Sequence, residues 1–212
     1  MKIERESLLH ASGLIPLLTL PWLGTTWLIF TIFALLHRIR ERVWRSNWFN
    51  GSSPRYILAG MASAYLTEIL AIIDNLKLPP GDRILLNPYP LTDLYLALAY
   101  YFPFILYWGL LVRRYDYSWK DVIIIGGTSG IFMEQTGAVF LSMNPLAWLY
   151  VFLVYGSYKA IPVLLHWKGL ERMERKRLQG WKKALLGFSV EALAFVSAGL
   201  LLWIFSKAAG LR

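Results

Sequence analysis

The stretch GGTSGIFMEQTGAVFLSMNP, residues 126–145, contains a glutamate, Glu134, among isoleucine, phenylalanine and valine. It belongs to one of several apolar runs of roughly 20 residues, the length that an α-helix needs to cross ~30 Å of hydrocarbon. An ionisable side chain inside such a run is costly in lipid, so it normally faces other helices and indicates function. The stretch therefore predicts a membrane-embedded helical bundle with a buried acidic group.

The composition supports this class of protein. The chain has 212 residues, of which 57% are hydrophobic and 17% are charged, whereas a soluble domain carries about 25% charged residues. We predict an all-α, polytopic integral membrane bundle of about six transmembrane helices, forming a single transmembrane domain over residues 1–212. The absence of cysteine excludes disulfides, iron–sulfur clusters and thiol catalysis. The N-terminal segment mixes acids with bases and continues into an apolar run, so we expect it to belong to the mature protein.

Charged breaks divide the chain into apolar runs that predict the spans. The first run contains Pro16 and Pro21, so it is expected to begin as a kinked or surface-lying segment. The predicted spans are 14–37, 55–75, 91–112, 122–141, 146–166 and 184–206.

The lysines and arginines predict the orientation. Fifteen lie in the segments 38–55, 113–120 and 167–183, six lie in the other loops and tails, and Lys159 lies inside a span. The positive-inside rule then gives a multi-pass protein of the cell membrane, with basic loops in the cytoplasm and both termini outside. The net charge of +9 is interpreted as topology and contact with anionic membrane lipids, which makes nucleic acid an unexpected partner.

Three glutamates recur on every second predicted span. Glu68, Glu134 and Glu191 lie on spans two, four and six, which all rise from the cytoplasm. Small residues at helical spacing share their faces, which predicts that each glutamate points at another helix rather than at lipid. For Glu134 this face is predicted to include Gly127, Gly130, Gly137 and Ala138. The alternative is that the glutamates are packing contacts that hold the bundle together.

No clear sequence repeat accompanies this recurrence, although a glutamate on every second span suggests stacked two-helix units. Within the bundle, Lys159 is expected to pair with Glu134 or Glu68. That pairing would leave at least one other carboxyl group without a cation.

The odd-numbered spans carry aromatic stripes that each include an ionisable residue. Asp93 opens the stripe on span three, and Lys159 closes the stripe on span five. Belts of aromatic residues often lie at the lipid interface, but a lipid-facing stripe should exclude these two charges. Aromatic faces beside carboxylates suit a cavity for an apolar or cationic molecule. The aromatic members of the stripes are Tyr100, Phe104 and Tyr107 on span three, and Trp148, Phe152 and Tyr155 on span five.

These patterns predict a candidate site. The residues predicted to carry chemistry are Glu134, Glu68, Asp93 and Lys159, with Glu134 as the principal proton-handling group. The residues predicted to contact substrate are Tyr100, Phe104, Tyr107, Phe152, Tyr155 and Asn75. The sequence contains no cluster of histidine and cysteine for a metal and no glycine-rich nucleotide loop, so no metal or cofactor is predicted.

Three functions fit these features. The first is a membrane enzyme that uses a carboxylic acid to protonate a lipid-soluble, isoprenoid-like small molecule, leading to cyclisation, hydration or isomerisation. The second is a small proton-coupled transporter of lipophilic or cationic compounds, which with six spans and no inverted repeat would call for a homodimer. The third is a non-catalytic subunit of a larger membrane complex.

Overall fold

A computed structural model describes residues 2–49 and 52–211. Among these residues the chain is helical and forms no β-strand, apart from one isolated bridge between Tyr115 and Lys176. The α-helices are α1 (Lys2–Ser12), α2 (Ile15–Leu18), α3 (Leu20–Leu23), α4 (Leu28–Arg38), α5 (Arg40–Trp44), α6 (Ser53–Asn75), α7 (Pro90–Arg114), α8 (Trp119–Met133), α9 (Ala138–Leu141), α10 (Pro145–Leu165), α11 (Trp167–Glu171) and α12 (Gly180–Ala208).

Five of these elements are long and apolar enough to cross a membrane: α6, α7, α8 together with α9, α10, and α12. The shorter apolar helix α4 joins them, so the prediction of an all-α membrane bundle of about six helices is confirmed. The outer face of α12 shows why the chain needs lipid around it. Val196, Leu200 and Trp203 expose more than half of their surface there, and such a surface is stable against hydrocarbon rather than water.

The long helices close into a ring. Helix α6 packs against α7 and α10, α7 packs also against α12, and α8 packs against both α10 and α12. The contact of α8 with α10 is close because glycines face the partner helix. A Cβ atom on Gly127 would lie 2.6 Å from the carbonyl oxygen of Phe152, and one on Gly130 would lie 2.6 Å from the Cβ of Tyr155. Small residues at this interface allow the backbones to approach, as predicted for the Glu134 face.

The N-terminal segment folds as a hairpin, and the predicted single span 14–37 is wrong in this respect. Glu6 accepts a hydrogen bond of 3.0 Å from Arg40, and Thr31 donates one of 2.6 Å to the carbonyl oxygen of Gly13. Residues 2–23 therefore run antiparallel to α4. Helix α1 lies at the same end of the bundle as Arg40, whereas the sequence predicts this terminus and loop 38–55 on opposite sides.

Sequence features explain the turn of this hairpin. Pro16 and Pro21 occupy the first turns of the short helices α2 and α3, and Gly24 ends α3 with a φ of 82°, a conformation that glycine adopts readily. Asp74, at the end of α6, then fixes the turn by accepting hydrogen bonds from the backbone N–H groups of Thr25 and Thr26. The turn is thereby fastened to the end of the bundle opposite Arg40.

Two ends of the bundle can now be distinguished. We call the end that carries the basic segments 38–49, 113–120 and 172–179 the basic end. The opposite end, which carries the 24–27 turn, the 76–89 loop and the short connection between α9 and α10, is the cavity end.

Candidate functional site

A cavity of about 680 Å³ opens inside the helix ring near the cavity end. This volume lies in the range of ~300–1,000 Å³ that is typical of small-molecule sites. Its wall is formed by α6, α7, α10 and α12, by the segment that links α8 to α9, and by the 24–27 turn above it. The lining side chains are mostly apolar or aromatic, and two glutamates, Glu68 and Glu134, stand among them.

The segment that links α8 to α9 is a break in the fourth span. Glu134 to Gly137 form a 3-10 turn, in which Gln135, Thr136 and Gly137 have φ values of 48°, 55° and 92°. Residues other than glycine rarely adopt positive φ. Irregular backbone at membrane depth is tolerated where it is buried in protein or lines a cavity, and Glu134, Gln135 and Thr136 line this one.

This break corrects the predicted continuous helix 122–141. Because the chain leaves the helical path at Glu134, Gly137 and Ala138 do not extend the helical face that Glu134 shares with Gly127 and Gly130. The break also gives Glu134 a special position. Its side chain projects from the end of a helix into the cavity rather than from the middle of a packed helix face.

A chain of hydroxyl groups leads to Glu134. The phenol of Tyr155 donates a hydrogen bond to the carboxylate oxygen Oε2 of Glu134. The oxygen of Tyr155 lies 3.0 Å from the phenol oxygen of Tyr100. A phenol has one hydrogen to donate, and Tyr155 uses it for Glu134, so Tyr100 is the donor to Tyr155. The order of donation is therefore Tyr100 to Tyr155 to Glu134, and all three residues line the cavity.

The second glutamate of the cavity, Glu68, has a different environment. The phenol of Tyr101 donates a hydrogen bond of 2.6 Å to its Oε2 atom. The carboxyl group of Asp93 lies beside it, within hydrogen-bonding reach. Asp93 is completely buried, and its Oδ1 atom accepts from the backbone N–H of Asn87 at 2.9 Å. No described residue donates a hydrogen bond to its Oδ2 atom. The neighbouring carboxyl group of Glu68 is therefore the group that can share a hydrogen bond with it.

Lys159 forms an ion pair with Glu191, deeper in the bundle. The Nζ and Oε2 atoms are 2.7 Å apart, and both side chains are completely buried. Trp108 donates a hydrogen bond of 2.6 Å to the other carboxylate oxygen of Glu191. The Lys159 ammonium also lies 4.6 Å from the ring centroid of Phe104, a favourable cation–π distance.

The predicted pairing of Lys159 with Glu134 or Glu68 is therefore wrong. Helix α12 begins at Gly180 rather than at residue 184, which raises Glu191 by about 6 Å at 1.5 Å per residue relative to the predicted span. This shift brings Glu191 to the depth of Lys159. The glutamates of the cavity are left with tyrosine hydroxyl groups as partners and with no described ion pair.

Asn75 holds the loop at the mouth of the cavity. Its side-chain oxygen accepts a hydrogen bond of 2.7 Å from the backbone N–H of Ile84, and its amide donates to the carbonyl oxygen of Ala71. Ile84, Leu85 and Leu86 of this loop line the cavity. Asn75 thus lines the cavity as predicted from the sequence, and its hydrogen bonds serve the loop.

The ten predicted site residues divide evenly between the cavity and its surroundings. Glu68, Glu134, Tyr100, Tyr155 and Asn75 line the cavity. The other five lie around it: Asp93 behind Glu68, Lys159 and Phe104 at the buried ion pair, Tyr107 at the interface of α7 and α12, where its hydroxyl is 3.0 Å from that of Ser197, and Phe152 against Gly127.

Several cavity residues were not anticipated. Tyr101 bonds directly to Glu68, but it follows Tyr100 in the sequence and lies off the predicted stripe. Gln135 and Thr136 were also missed, although the polar run EQTG within an apolar segment was a usable signal for a helix break. The other unanticipated polar residues in the wall are Tyr150, Thr67, Thr26 and Asp74.

Known proteins add no direct assignment. The chain matches no protein-family model, no curated protein and no solved structure. Within the described part of the chain, no group of three or more histidine, aspartate or glutamate side chains can hold a metal ion. The function is therefore argued from the chemistry of the cavity.

Proposed function

We propose that the protein is a membrane enzyme that moves a proton onto and off a lipid-soluble, unsaturated substrate of the isoprenoid type. One observation carries this proposal: two glutamates, each hydrogen-bonded by a tyrosine, face the same largely apolar cavity. An apolar cavity binds a hydrocarbon chain, and carboxyl groups within it are suitable general acids and bases.

The reaction needs two proton transfers. One carboxylic acid donates its proton to an alkene carbon, and the π electrons form the new C–H bond, which leaves a cation on the neighbouring carbon. A carboxylate then removes a proton from an adjacent carbon, and the electrons of that C–H bond form a new double bond. The sum is an isomerisation. Attack of a second double bond on the cation before the last step gives a ring, and attack of water gives a hydrated product.

The aromatic wall suits the cationic intermediate. Tyr100, Tyr101, Tyr150 and Tyr155 surround the cavity together with Phe195. The negative faces of such rings attract a positive charge. A carbocation formed in this cavity would therefore be stabilised by the wall without a nearby carboxylate having to trap it covalently.

Deuterium uptake tests this function. The purified protein is reconstituted into liposomes that contain squalene, geranylgeraniol or a total lipid extract of the producing cells, and these are incubated in D₂O. Mass spectrometry should find deuterium on carbon, together with an isomerised, cyclised or hydrated product. Glu134→Gln should reduce the rate by roughly 100-fold or more, the size expected for loss of a general acid or base.

The matched control is Glu171→Gln, which makes the same chemical change at an exposed position of the basic end. This variant should keep the wild-type rate. If wild-type protein leaves the deuterium content of every lipid unchanged, or if Glu134→Gln keeps the full rate, proton transfer to a lipid is not the function.

The proposal includes an orientation, with the basic end in the cytoplasm and the cavity open toward the outer leaflet. The hairpin brings Lys2 and Arg5 to the basic end, which raises the basic residues there from fifteen to seventeen and leaves four in the other loops and tails. Of these four, Arg212 lies outside the described residues. This larger imbalance supports the positive-inside argument, now with the N-terminal helix in the cytoplasm and the end of α12 outside.

Cysteine labelling tests the orientation. An impermeant reagent added to intact cells should label Lys77→Cys and Met143→Cys, and it should leave Leu8→Cys, Arg42→Cys and Arg175→Cys unlabelled. Labelling of Leu8→Cys together with Lys77→Cys would contradict the position of the hairpin. The opposite pattern at every position would invert the whole orientation.

A proton-coupled transporter is the second candidate, and the break at Glu134–Gly137 favours it. Discontinuous helices form the substrate sites of many transporters. The same liposomes distinguish the two functions. A transporter would move a lipophilic cation such as tetraphenylphosphonium in response to a pH gradient, with no deuterium on the carbon atoms of any lipid. An enzyme would give the reverse result.

A further inference from the structure

The two helix pairs that form the cavity contain the same sequence pattern. Helix α6 carries GMASAYLTE at 60–68, and α8 carries GGTSGIFME at 126–134, which share glycine, serine, a small residue and glutamate at identical spacing. Helix α7 begins with PLTDLYLALAY at 90–100, and α10 begins with PLAWLYVFLVY at 145–155, with six identities in eleven positions. The pair α6–α7 therefore repeats as α8–α10.

The loops within the two helix pairs differ in length, so a search for a repeat with one fixed spacing does not detect it. Glu134 follows Glu68 by 66 positions, whereas Pro145 follows Pro90 by 55 positions. The structure supports the alignment at several points. Tyr100 and Tyr155, which are equivalent residues, are hydrogen-bonded to each other across the cavity. Gly60 packs against Ile105 of α7 in the first pair, and Gly126 packs against Lys159 of α10 in the second, one residue before the position that corresponds to Ile105.

The two pairs run in the same direction, from the basic end to the cavity end and back. Repeats of this kind are related by an axis along the membrane normal, and binding sites lie at their interface. On one side α6 meets α10 directly, and on the other side α12 separates α7 from α8. The cavity thus consists of two half-sites, one around Glu68 and one around Glu134.

The half-sites differ at one equivalent position. Asp93 in the first pair corresponds to Trp148 in the second. Asp93 places a second, completely buried carboxyl group beside Glu68. The indole of Trp148 instead donates a hydrogen bond of 2.9 Å to the carbonyl oxygen of Val139 in α9. Apart from Asp74, which is bonded to the 24–27 turn, the first half-site therefore has two carboxyl groups side by side, and the second has one.

This difference gives the two half-sites opposite proton chemistry. At rest, two adjacent buried carboxyl groups keep one proton between them, because two negative charges would repel each other strongly at such a distance. A proton between Glu68 and Asp93 also supplies the donor that Asp93 Oδ2 lacks among the described residues. Glu134 has no carboxyl neighbour of this kind. It accepts a hydrogen bond from Tyr155, which is supported in turn by Tyr100, and a hydrogen bond of this kind favours the charged form of the carboxyl group that accepts it.

We propose that the Glu68–Asp93 pair is the proton donor of the cavity and that Glu134 is the proton acceptor. This proposal rests on the proposed enzymatic function and refines it. Glu68, which faces the cavity, gives its proton to the substrate, and the pair becomes a dianion. Glu134 removes a proton from the resulting cation and becomes neutral. Solvent protons return the pair and Glu134 to their starting states. Asp93 does not line the cavity and acts as a positioning residue that keeps the proton on the pair.

Infrared spectroscopy tests this assignment without any substrate. Wild-type protein in liposomes at neutral pH should show the carbonyl stretching band of a protonated carboxyl group. This band should shift slightly when H₂O is replaced by D₂O. This band should be lost in Glu68→Gln and in Asp93→Asn, because an amide donor beside the remaining carboxyl group favours its charged form. The band should persist in Glu134→Gln.

Each other outcome overturns the assignment. Loss of the band in Glu134→Gln, with retention in Glu68→Gln, would make Glu134 the acid. A band that is absent from the wild type would mean that the pair holds no proton. If Asp93→Asn does not fold, the comparison of Glu68→Gln with Glu134→Gln still decides. Because this measurement needs no turnover, its failure is distinct from a failure of deuterium uptake, which tests the enzymatic function itself.

Discussion

Two glutamates of this protein, Glu191 and Glu134, lie within the same helix bundle but have different partners. Glu191 is completely buried and bonded to Lys159 and Trp108. Glu134 lies at a helix break, faces a cavity and has the phenol of Tyr155 as its hydrogen-bond donor. Both residues are carboxyl groups within apolar spans, so the residue type alone does not distinguish them. The difference is the presence of a cation at Glu191 and of open space at Glu134.

The comparison separates a structural use of a buried charge from a chemical one. A buried ion pair whose polar atoms are already bonded has no group left to bind a ligand. Removing one of its two members strongly destabilises the fold, because the other charge stays buried without a partner. A carboxyl group that faces a cavity can exchange its hydrogen-bond partner for a substrate. We therefore expect mutations at the ion pair to act on stability and mutations at the cavity to act on turnover.

The largest loss of stability is expected from Lys159→Met. The substitution leaves the Glu191 carboxylate buried without its cation, which should reduce the free energy of unfolding by about 3–5 kcal/mol. Reversible unfolding in mixed micelles of mild detergent and dodecyl sulfate measures this quantity.

A double variant sharpens this prediction. Adding Glu191→Gln to Lys159→Met removes the stranded charge and keeps an oxygen that accepts from Trp108, so most of the lost stability should return. If the double variant is as unstable as Lys159→Met, the lysine contributes through its packing and not through the ion pair.

The next effect concerns the space that Gly126 leaves for the ion pair. A Cβ atom at this position would lie 2.9 Å from Cδ of Lys159 and 3.4 Å from Oε1 of Glu191. Gly126→Ala should therefore displace the pair and reduce the free energy of unfolding by about 2–3 kcal/mol, near the upper part of the range for overpacking. The same unfolding assay measures it.

Gly199→Ala is the matched control for this substitution. Gly199 also lies within a long helix, α12, but its Cβ would meet no atom within 4 Å. This variant should be neutral or gain up to about 1 kcal/mol from the better helix propensity of alanine. Equal destabilisation by the two variants would mean that the ion pair tolerates displacement.

Much of the fold could be predicted from the sequence, because hydropathy determines which segments enter a membrane. The predicted spans 55–75, 91–112 and 146–166 end within two residues of α6, α7 and α10. The N-terminal hairpin was missed since its first arm consists of short helices with two prolines, which resemble the start of one long span. Tertiary contacts, such as those of Glu6 with Arg40 and of His10 with His37, reveal that this arm returns to the basic end.

The candidate site was predictable in part. Helical spacing indicated that Glu68, Glu134, Tyr100 and Tyr155 face inward, and all four line the cavity. The partner of Lys159 was not predictable, because pairing depends on relative depth and the start of α12 was placed four residues late. The repeat was missed because its two halves have connecting segments of different length.

A smaller effect is expected at the helix break. Gly137 has a φ of 92°, and a Cβ there would find room, with its nearest neighbour at 3.6 Å. Gly137→Ala should therefore act through backbone strain alone and reduce the free energy of unfolding by about 1–2 kcal/mol. Gly81→Ala, in the 76–89 loop, serves as the control because its Cβ meets nothing within 4 Å. Similar stability of both variants would mean that the turn relaxes without its left-handed residue.

The smallest change in stability is expected from Glu134→Gln, which completes the comparison with Glu191→Gln. The glutamine keeps the oxygen that accepts from Tyr155, and its amide group can face the cavity, so the free energy of unfolding should change by less than about 1 kcal/mol. Glu191→Gln alone leaves the ammonium of Lys159 buried without its carboxylate and should cost about 3 kcal/mol or more. Both variants are measured in the same micelles on the same day. A loss at Glu134 as large as the loss at Glu191 would make Glu134 a packing contact of the bundle, since a residue kept for proton transfer has no reason to hold the fold together.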